Sequence, residues 1–505
     1  MQSTNTSWNR RQWLGALAAL GLGSLTSPRA HAATAETAWH SSYAPFDAPG
    51  FKGSLQTERL PVQGQLPAEL RGTLYRNGPA RFGHGSSRLT HWFDGDGMLQ
   101  ALRIDGGQVS HQGQLLDTPK AAQELAAGRF LYGGFGSTVA HSLPVTQPDV
   151  INPANINLLS MDQGRKLYAL WEAGSALEVY PDTLKSVGFK VWSPETAGAP
   201  FSAHPRVAPD GTVWNFGYMP GTGKLLIYQI ASNGQLQRQT VITVPNADMV
   251  HDFAITERHL VFLLQPLKYE RPASGLPNLL AGMRWDPQAP MIACVVAMAD
   301  WHTTLIEMPN SGLFHLGNAF ERGDRIHLSY VHHKDILRMR SFDVSPGLPR
   351  QEPLDTTWTE VELHTARRRA TVRPTDLRLV EFPRFDPRRV GLPQKLTVML
   401  QYTQAPGLLL GFSTVLTTDG QRTQRHDYGT DWLAEEHVYV PHPHKTDENA
   451  GWVLGTAYHW PTEKTTLSVF NAGQISAGPV ARVQLPYGLP LGLHGQFVAL
   501  SAQRT

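Results

Sequence analysis

Four histidines constrain what this 505-residue chain can fold into more than any hydrophobic run does. They are His204 in Phe201-Ser-Ala-His-Pro205, His251 in Met249-Val-His-Asp-Phe253, His315 in Phe314-His-Leu-Gly-Asn-Ala-Phe-Glu321, and His494 in Gly492-Leu-His-Gly-Gln-Phe497. Each sits in a short context that suits a metal ligand at a strand end. Successive members are 47, 64 and 179 residues apart. One helix aligns side chains three or four apart, and one hairpin aligns near neighbours. If these four meet, a large fold must bring distant strands around one centre.

The pattern between them is that of short strands. β-Branched and aromatic runs alternate with turn signals such as Pro209-Asp-Gly211, Ser232-Asn-Gly234 and Thr418-Asp-Gly420. Gly211–Gly217 followed by Leu225–Ile230 reads as a hairpin, and Arg325–Val331 and Trp452–Tyr458 read as strands. Helical periodicity is scarce, with Pro119–Leu125 as a short candidate. The 46 glycines and 37 prolines suit many turns. Charged residues make up 17% of the chain, below the roughly 25% of ordinary domains. Periodicity alone gives a large all-β fold, with no sharp repeat to count blades.

The N-terminus reads as a targeting segment. Asn9-Arg-Arg-Gln-Trp-Leu14 precedes an apolar run from Leu14 to Leu25, and Ala30-His-Ala32 offers a signal-peptidase site. Residues 1–32 are therefore expected to be a twin-arginine signal, and 33–505 the periplasmic protein. The run is too short to span a bilayer. The formal charge of +2 includes Arg10, Arg11 and Arg29; without those three it is −1. Such a chain has no electrostatic reason to bind nucleic acid. The single cysteine, Cys294, lies among Ile292, Ala293, Val295 and Val296, so it is expected to be a buried small hydrophobe.

Taken in order, the four histidine segments resemble those of the carotenoid cleavage oxygenases. Arg71-Gly-Thr-Leu-Tyr-Arg-Asn-Gly-Pro79, His91-Trp-Phe-Asp-Gly-Asp-Gly-Met98, Ala169-Leu-Trp-Glu172 and Glu381-Phe-Pro383 extend the resemblance from about Phe51 to the C-terminus. It implies an all-β, seven-bladed β-propeller with a loop and helix cap over a metal face. It also implies Fe(II) held by His204, His251, His315 and His494. Glu172, Glu381 and Glu436 would accept the second ring N–H of His251, His315 and His494, while His204 would lack a carboxylate. Glu435 precedes Glu436, and a regular strand turns only one of two neighbours to the axis; the surrounding pattern favours Glu436.

Other motifs are read more plainly. His332-His333 and His442-Pro-His444 have ligand-like spacing but lie beside lysines and turns, so they are expected on the solvated surface. Asp94-Gly-Asp-Gly97 lacks the carboxylates of a calcium loop and reads as a tight turn. Trp92, Phe93, Tyr132, Phe135 and Trp171 are candidates to line an apolar tunnel or to fill the core. The apolar segment from Leu276 to Trp285 suits either peripheral membrane contact or a buried cap element.

The resemblance implies an Fe(II)-dependent dioxygenase that uses O2 to cleave a C=C bond of a carotenoid or apocarotenoid into two carbonyl products. A second reading is cleavage of stilbenoids, as in the related lignostilbene oxygenases. Those enzymes typically carry a lysine directly before the first of the three glutamates; here that residue is Trp171. A third reading, a non-catalytic propeller that binds a hydrophobic ligand, gives no reason for four histidines with three matched glutamates. Oligomeric state is not legible.

Overall fold

Strands buried on both faces alternate along the chain with strands that face solvent. Val213–Met219 is buried throughout, whereas Gln108–Leu115 alternates and Arg369–Arg378 is largely exposed. This gradient is what radial four-stranded sheets produce, with inner strands packed between neighbours and outer strands wet on one side. The computed structural model describes residues 54–271, 278–344, 354–402 and 411–500. The expected leader, residues 1–32, lies outside these.

Seven antiparallel sheets of four or five strands form the blades of a β-propeller. Six of them begin with inner strands at Asn157–Met161, Arg206–Val207, Ala254–Ile255, Leu316–Arg322, Val380–Phe385 and Trp432–Val440. The remaining blade joins both ends of the chain. Its inner strand, His494–Ala499, pairs with Gly72–Arg81 and sets His494 opposite Asn77. The expected hairpin forms between Val213–Met219 and Lys224–Ile230. The two expected single strands run over Arg325–His333 and Trp452–His459.

Close packing within a blade leaves a position where only glycine fits. A β-carbon on Gly217 would sit 2.0 Å from the Pro200 carbonyl oxygen. Cys294 is fully buried, and burial pushes its thiol up to about 12.

The cap is anchored by ions. Its helix spans Pro119–Ala127, two residues beyond the expected end, with Thr118 as N-cap and Gly128 closing it at φ 62°. Lys120 Nζ donates to Asp96 and Glu124, both at 2.7 Å, tying the helix to the strand Asp96–Asp105. Burial alone would lower the pKa of Lys120, but Asp96 and Glu124 outweigh it and raise it. Asp94 accepts the backbone N–H groups of Phe135, Gly136 and Ser137. The turn at Asp94–Gly97 therefore does more than reverse the chain; its two carboxylates pin the cap.

Of the segment from Leu276 to Trp285, residues 276 and 277 lie outside the described residues. Leu280 and Met283 are buried, and Leu280 N–H donates to the Phe135 carbonyl. The described part is stitched to the cap.

Gly217→Ala should destabilise the fold by about 1–3 kcal/mol, the usual range for overpacking. Its urea midpoint, read by tryptophan fluorescence, should fall accordingly.

Candidate metal centre

All four histidines stand at the start of inner strands. His204 precedes Arg206–Val207, His251 precedes Ala254–Ile255, His315 precedes Leu316–Arg322, and His494 opens His494–Ala499. One end of every inner strand faces the same rim, so residues remote in sequence converge there. Their ligand nitrogens all lie within 4.8 Å of one another. His204 Nε2 is 3.0 Å from His251 Nε2, and His315 Nε2 is 3.2 Å from His494 Nε2.

These short separations are not hydrogen bonds between imidazoles. His251 Nδ1 lies 2.6 Å from Glu172, His315 Nδ1 2.6 Å from Glu381, and His494 Nδ1 2.9 Å from Glu436. An ionised carboxylate only accepts, so each Nδ1 carries the proton and each Nε2 presents a lone pair. Three lone pairs, and His204 beside them, thus face one point. A cation relieves that repulsion. At a metal–nitrogen bond of about 2.1 Å, nitrogens separated by these distances are close enough to share one ion. Among the described residues no ion pair reaches His204.

Burial favours the neutral imidazoles that a metal requires. Burial, then the neighbouring histidines, hold His204 well below its ordinary pKa. Burial also lowers His494, to about 4, although Glu436 opposes it. In His315 burial acts downward too, but Glu381 outweighs it and the pKa rises. Burial would raise Glu436, yet Arg384 and His494 bring it down to about 2.

Bulges aim these side chains. Register shifts fall at Leu316/Ala319, Glu381/Arg384 and Ala434/His437, beside His315, at Glu381 and around Glu436. Extra residues at such points redirect side chains. In the third, Glu435 and Glu436 together oppose Thr456, so both turn inward. Glu436 takes His494 Nδ1–H and the Gly495 N–H. Glu435 accepts from Arg76 Nη2 at 3.2 Å and from the Gly492 N–H. The sequence reading selected the right glutamate but missed that its neighbour braces the same ligand.

Asp252 is another residue that the sequence reading passed over. It accepts both contacts from Arg206 Nη2 at 2.8 Å and the Leu316 N–H at 2.8 Å. One buried carboxylate thereby joins the segments that carry His204, His251 and His315. The adjacent His-Asp at 251 and 252 was its only trace in the sequence.

Two surface expectations fail. His333 is 2% exposed and bonds Glu381 at 2.7 Å. His442 is also buried, stacked on Trp452 at 5.2 Å between ring centroids. His332 is half-buried against Ser311, and His444 is exposed as expected.

An apolar cavity opens over the histidines and encloses about 1720 Å³ of empty space, its mouth included. Phe135 and Trp171 line it, as do Trp92 and Phe93. Tyr132 does not: its hydroxyl donates to Gln123 at 2.8 Å and its ring packs with Leu131 and Val145. The tunnel role expected for Tyr132 is thus corrected to a packing role in the cap.

Residues 51–499 match the family described as retinal pigment epithelial membrane protein. The chain is 30% identical over 466 residues to the apocarotenoid-15,15'-oxygenase of Synechocystis sp., covering 86% of this chain and 92% of that protein. It is 27% identical over 479 residues to lignostilbene-alpha,beta-dioxygenase isozyme III of Sphingomonas paucimobilis, covering 88% and 94%. Among solved structures, cobalt-substituted Synechocystis apocarotenoid oxygenase matches with a TM-score of 0.80 at 26% identity, covering 91% of this chain and 98% of that one.

Asp252→Ala strands Arg206 without its carboxylate. Removing one partner of a buried pair costs about 3–5 kcal/mol, so urea denaturation should show a loss of that order. A loss below about 1 kcal/mol, the range of surface pairs, would mean that Asp252 does not brace the three segments.

Proposed function

The chain belongs to the retinal pigment epithelial membrane protein family, that of the carotenoid cleavage oxygenases, and we propose that it is an Fe(II)-dependent dioxygenase cleaving a C=C bond of a carotenoid or apocarotenoid. One observation carries the reading: convergent imidazole lone pairs, three of them fixed by carboxylates, lie under an apolar cavity. His204, His251, His315 and His494 would hold the iron. Imidazole suits iron, zinc and copper alike, and four neutral ligands leave the full charge of the ion in place. Iron bound there would supply oxygen activation, with no 2-oxoglutarate required.

The residues around the site do the rest. Glu172, Glu381 and Glu436 keep each Nδ1 protonated and each Nε2 directed inward. Phe382 packs against the rings of His315 and His494, at 5.3 and 5.4 Å between centroids, and forms part of the cavity wall. Phe314, Trp171 and Met249 continue the wall near the centre. A polyene offers few polar handles, so the shape of this wall selects which double bond lies over the histidines. The reaction closes without an outside reductant: the C=C bond breaks and each of its carbons receives one atom of O2.

Trp171 favours a polyene over a stilbene phenolate. Its indole lines the cavity beside Glu172 and carries no charge. Lys120, the lysine among the lining residues, is already paired with Asp96 and Glu124.

Aerobic turnover of an apocarotenal under ¹⁸O₂ should give two carbonyl products, each labelled when trapped before exchange with water. Turnover of a 4-hydroxystilbene with none on any apocarotenal would instead select the stilbenoid reading. The same proposal includes export by a twin-arginine leader, supported by Arg10 and Arg11 ahead of the apolar run. Replacing both by lysine should leave the protein in the cytoplasm, as fractionation would show. The proposal also includes peripheral membrane contact through the segment from Leu276 to Trp285, supported by its apolar sequence.

A further inference from the structure

Each carboxylate that aims a ligand histidine has its other interactions to satisfy, and the three do so differently. Glu172 accepts from the Tyr218 hydroxyl. Glu436 accepts the Gly495 N–H at 2.8 Å. Glu381 receives both His315 Nδ1–H and the Phe382 N–H on Oε2, at 2.6 Å each. That leaves Oε1, in a side chain almost wholly buried, to His333 Nε2 at 2.7 Å.

We propose that His333 is a positioning residue of the metal centre, fixing through Glu381 the direction in which His315 presents its Nε2; this rests on the reading that the four histidines hold a metal. Because Glu381 only accepts, His333 must donate from Nε2. Its donation loads the oxygen that His315 does not use and stops the carboxylate from rotating.

The backbone around His333 is built to hold it there. His333 exchanges both backbone hydrogen bonds with Gly312, three residues before His315, at 2.8 and 3.0 Å. A β-carbon on Gly312 would lie 2.8 Å from the Ile336 Cβ and 3.2 Å from the His333 carbonyl oxygen, so glycine permits this approach. Phe314 presses edge-on to His333 at 5.2 Å and to His251 at 5.3 Å. The ring, the carboxylate and the ligand segment therefore form one packed unit. A histidine that merely filled space would not need to face the free oxygen of this carboxylate.

The test uses the full chain stripped of metal, with Co2+ as probe and a competing chelator. His333→Phe should weaken Co2+ binding about 10–100-fold, the range for loss of such supporting partners. His333→Gln, which can place an amide N–H at the same oxygen, should recover most of it, whereas the shorter His333→Asn should not. This contrast decides the matter even if His333→Phe does not fold. In a Glu381→Gln background the His333 substitutions should add little, because both act through one contact. Equal Co2+ affinity in wild type, His333→Asn and His333→Gln would overturn the proposal, as would a fall in metal-free melting temperature with affinity unchanged. A wild-type protein that binds no Co2+ and no Fe2+ would overturn the metal reading itself.

Discussion

Three imidazole lone pairs, locked inward by three carboxylates of which Glu381 and Glu436 are buried, set the terms for the rest of this structure. Aiming like dipoles at one point is unfavourable without a positive charge, and burying the glutamates is unfavourable without donors. Neither half is stable alone. Together they form a closed set in which the carboxylates keep Nδ1 protonated and the inward-facing nitrogens suit a cation. The propeller suits this arrangement because its inner strands begin at one rim. Four such strands each need deliver only one histidine.

Delivery to within a few tenths of an ångström needs more than the scaffold. Asp252 spans three ligand-bearing segments, and Glu435 with Arg76 secures the approach to His494. Arg76 Nη1 also donates to the Glu436 carbonyl at 2.7 Å, so one guanidinium touches both halves of the bulge. Buried ion pairs of this kind add little net stability compared with apolar packing. Their value here is geometric, since each joins segments from different blades that no hydrogen-bond ladder connects. Leu379 and Phe382 add local strain, with φ of 58° and 55° on either side of Glu381. A non-glycine residue in this region costs of order 1–3 kcal/mol, and the surrounding network holds it.

Sequence reading reached the all-β class, the hairpins and the four histidines because those signals are local or motif-borne. Glu436 was legible by alternation, yet alternation also placed Glu435 wrongly, since a bulge puts two neighbours on one side. His333 gave no signal: it follows a half-buried histidine and precedes a lysine, and only pairing with Gly312 brings it inward. His442 was misjudged in the same way, its partner Trp452 lying across the blade. Tyr132 looked like a tunnel residue on composition, but the cap turns its hydroxyl to Gln123. These misses are contacts made across turns or between strands, or departures from regular period.

The cavity's chemistry follows from how thoroughly its polar groups are already employed. Glu172 and Glu381 each serve a histidine, Asp94 holds three backbone N–H groups, and Lys120 serves two carboxylates. A substrate entering such a space meets hydrocarbon walls and few polar groups free to bind it. Affinity then comes from apolar burial, which is non-directional, and discrimination among double bonds comes from where the walls stop the chain from sliding. Phe382 and Phe314 lie closest to that decision because each packs on the ligand rings while facing the cavity. The network that orients the histidines therefore also positions the aromatic walls, so the metal site and the substrate register share one set of supports.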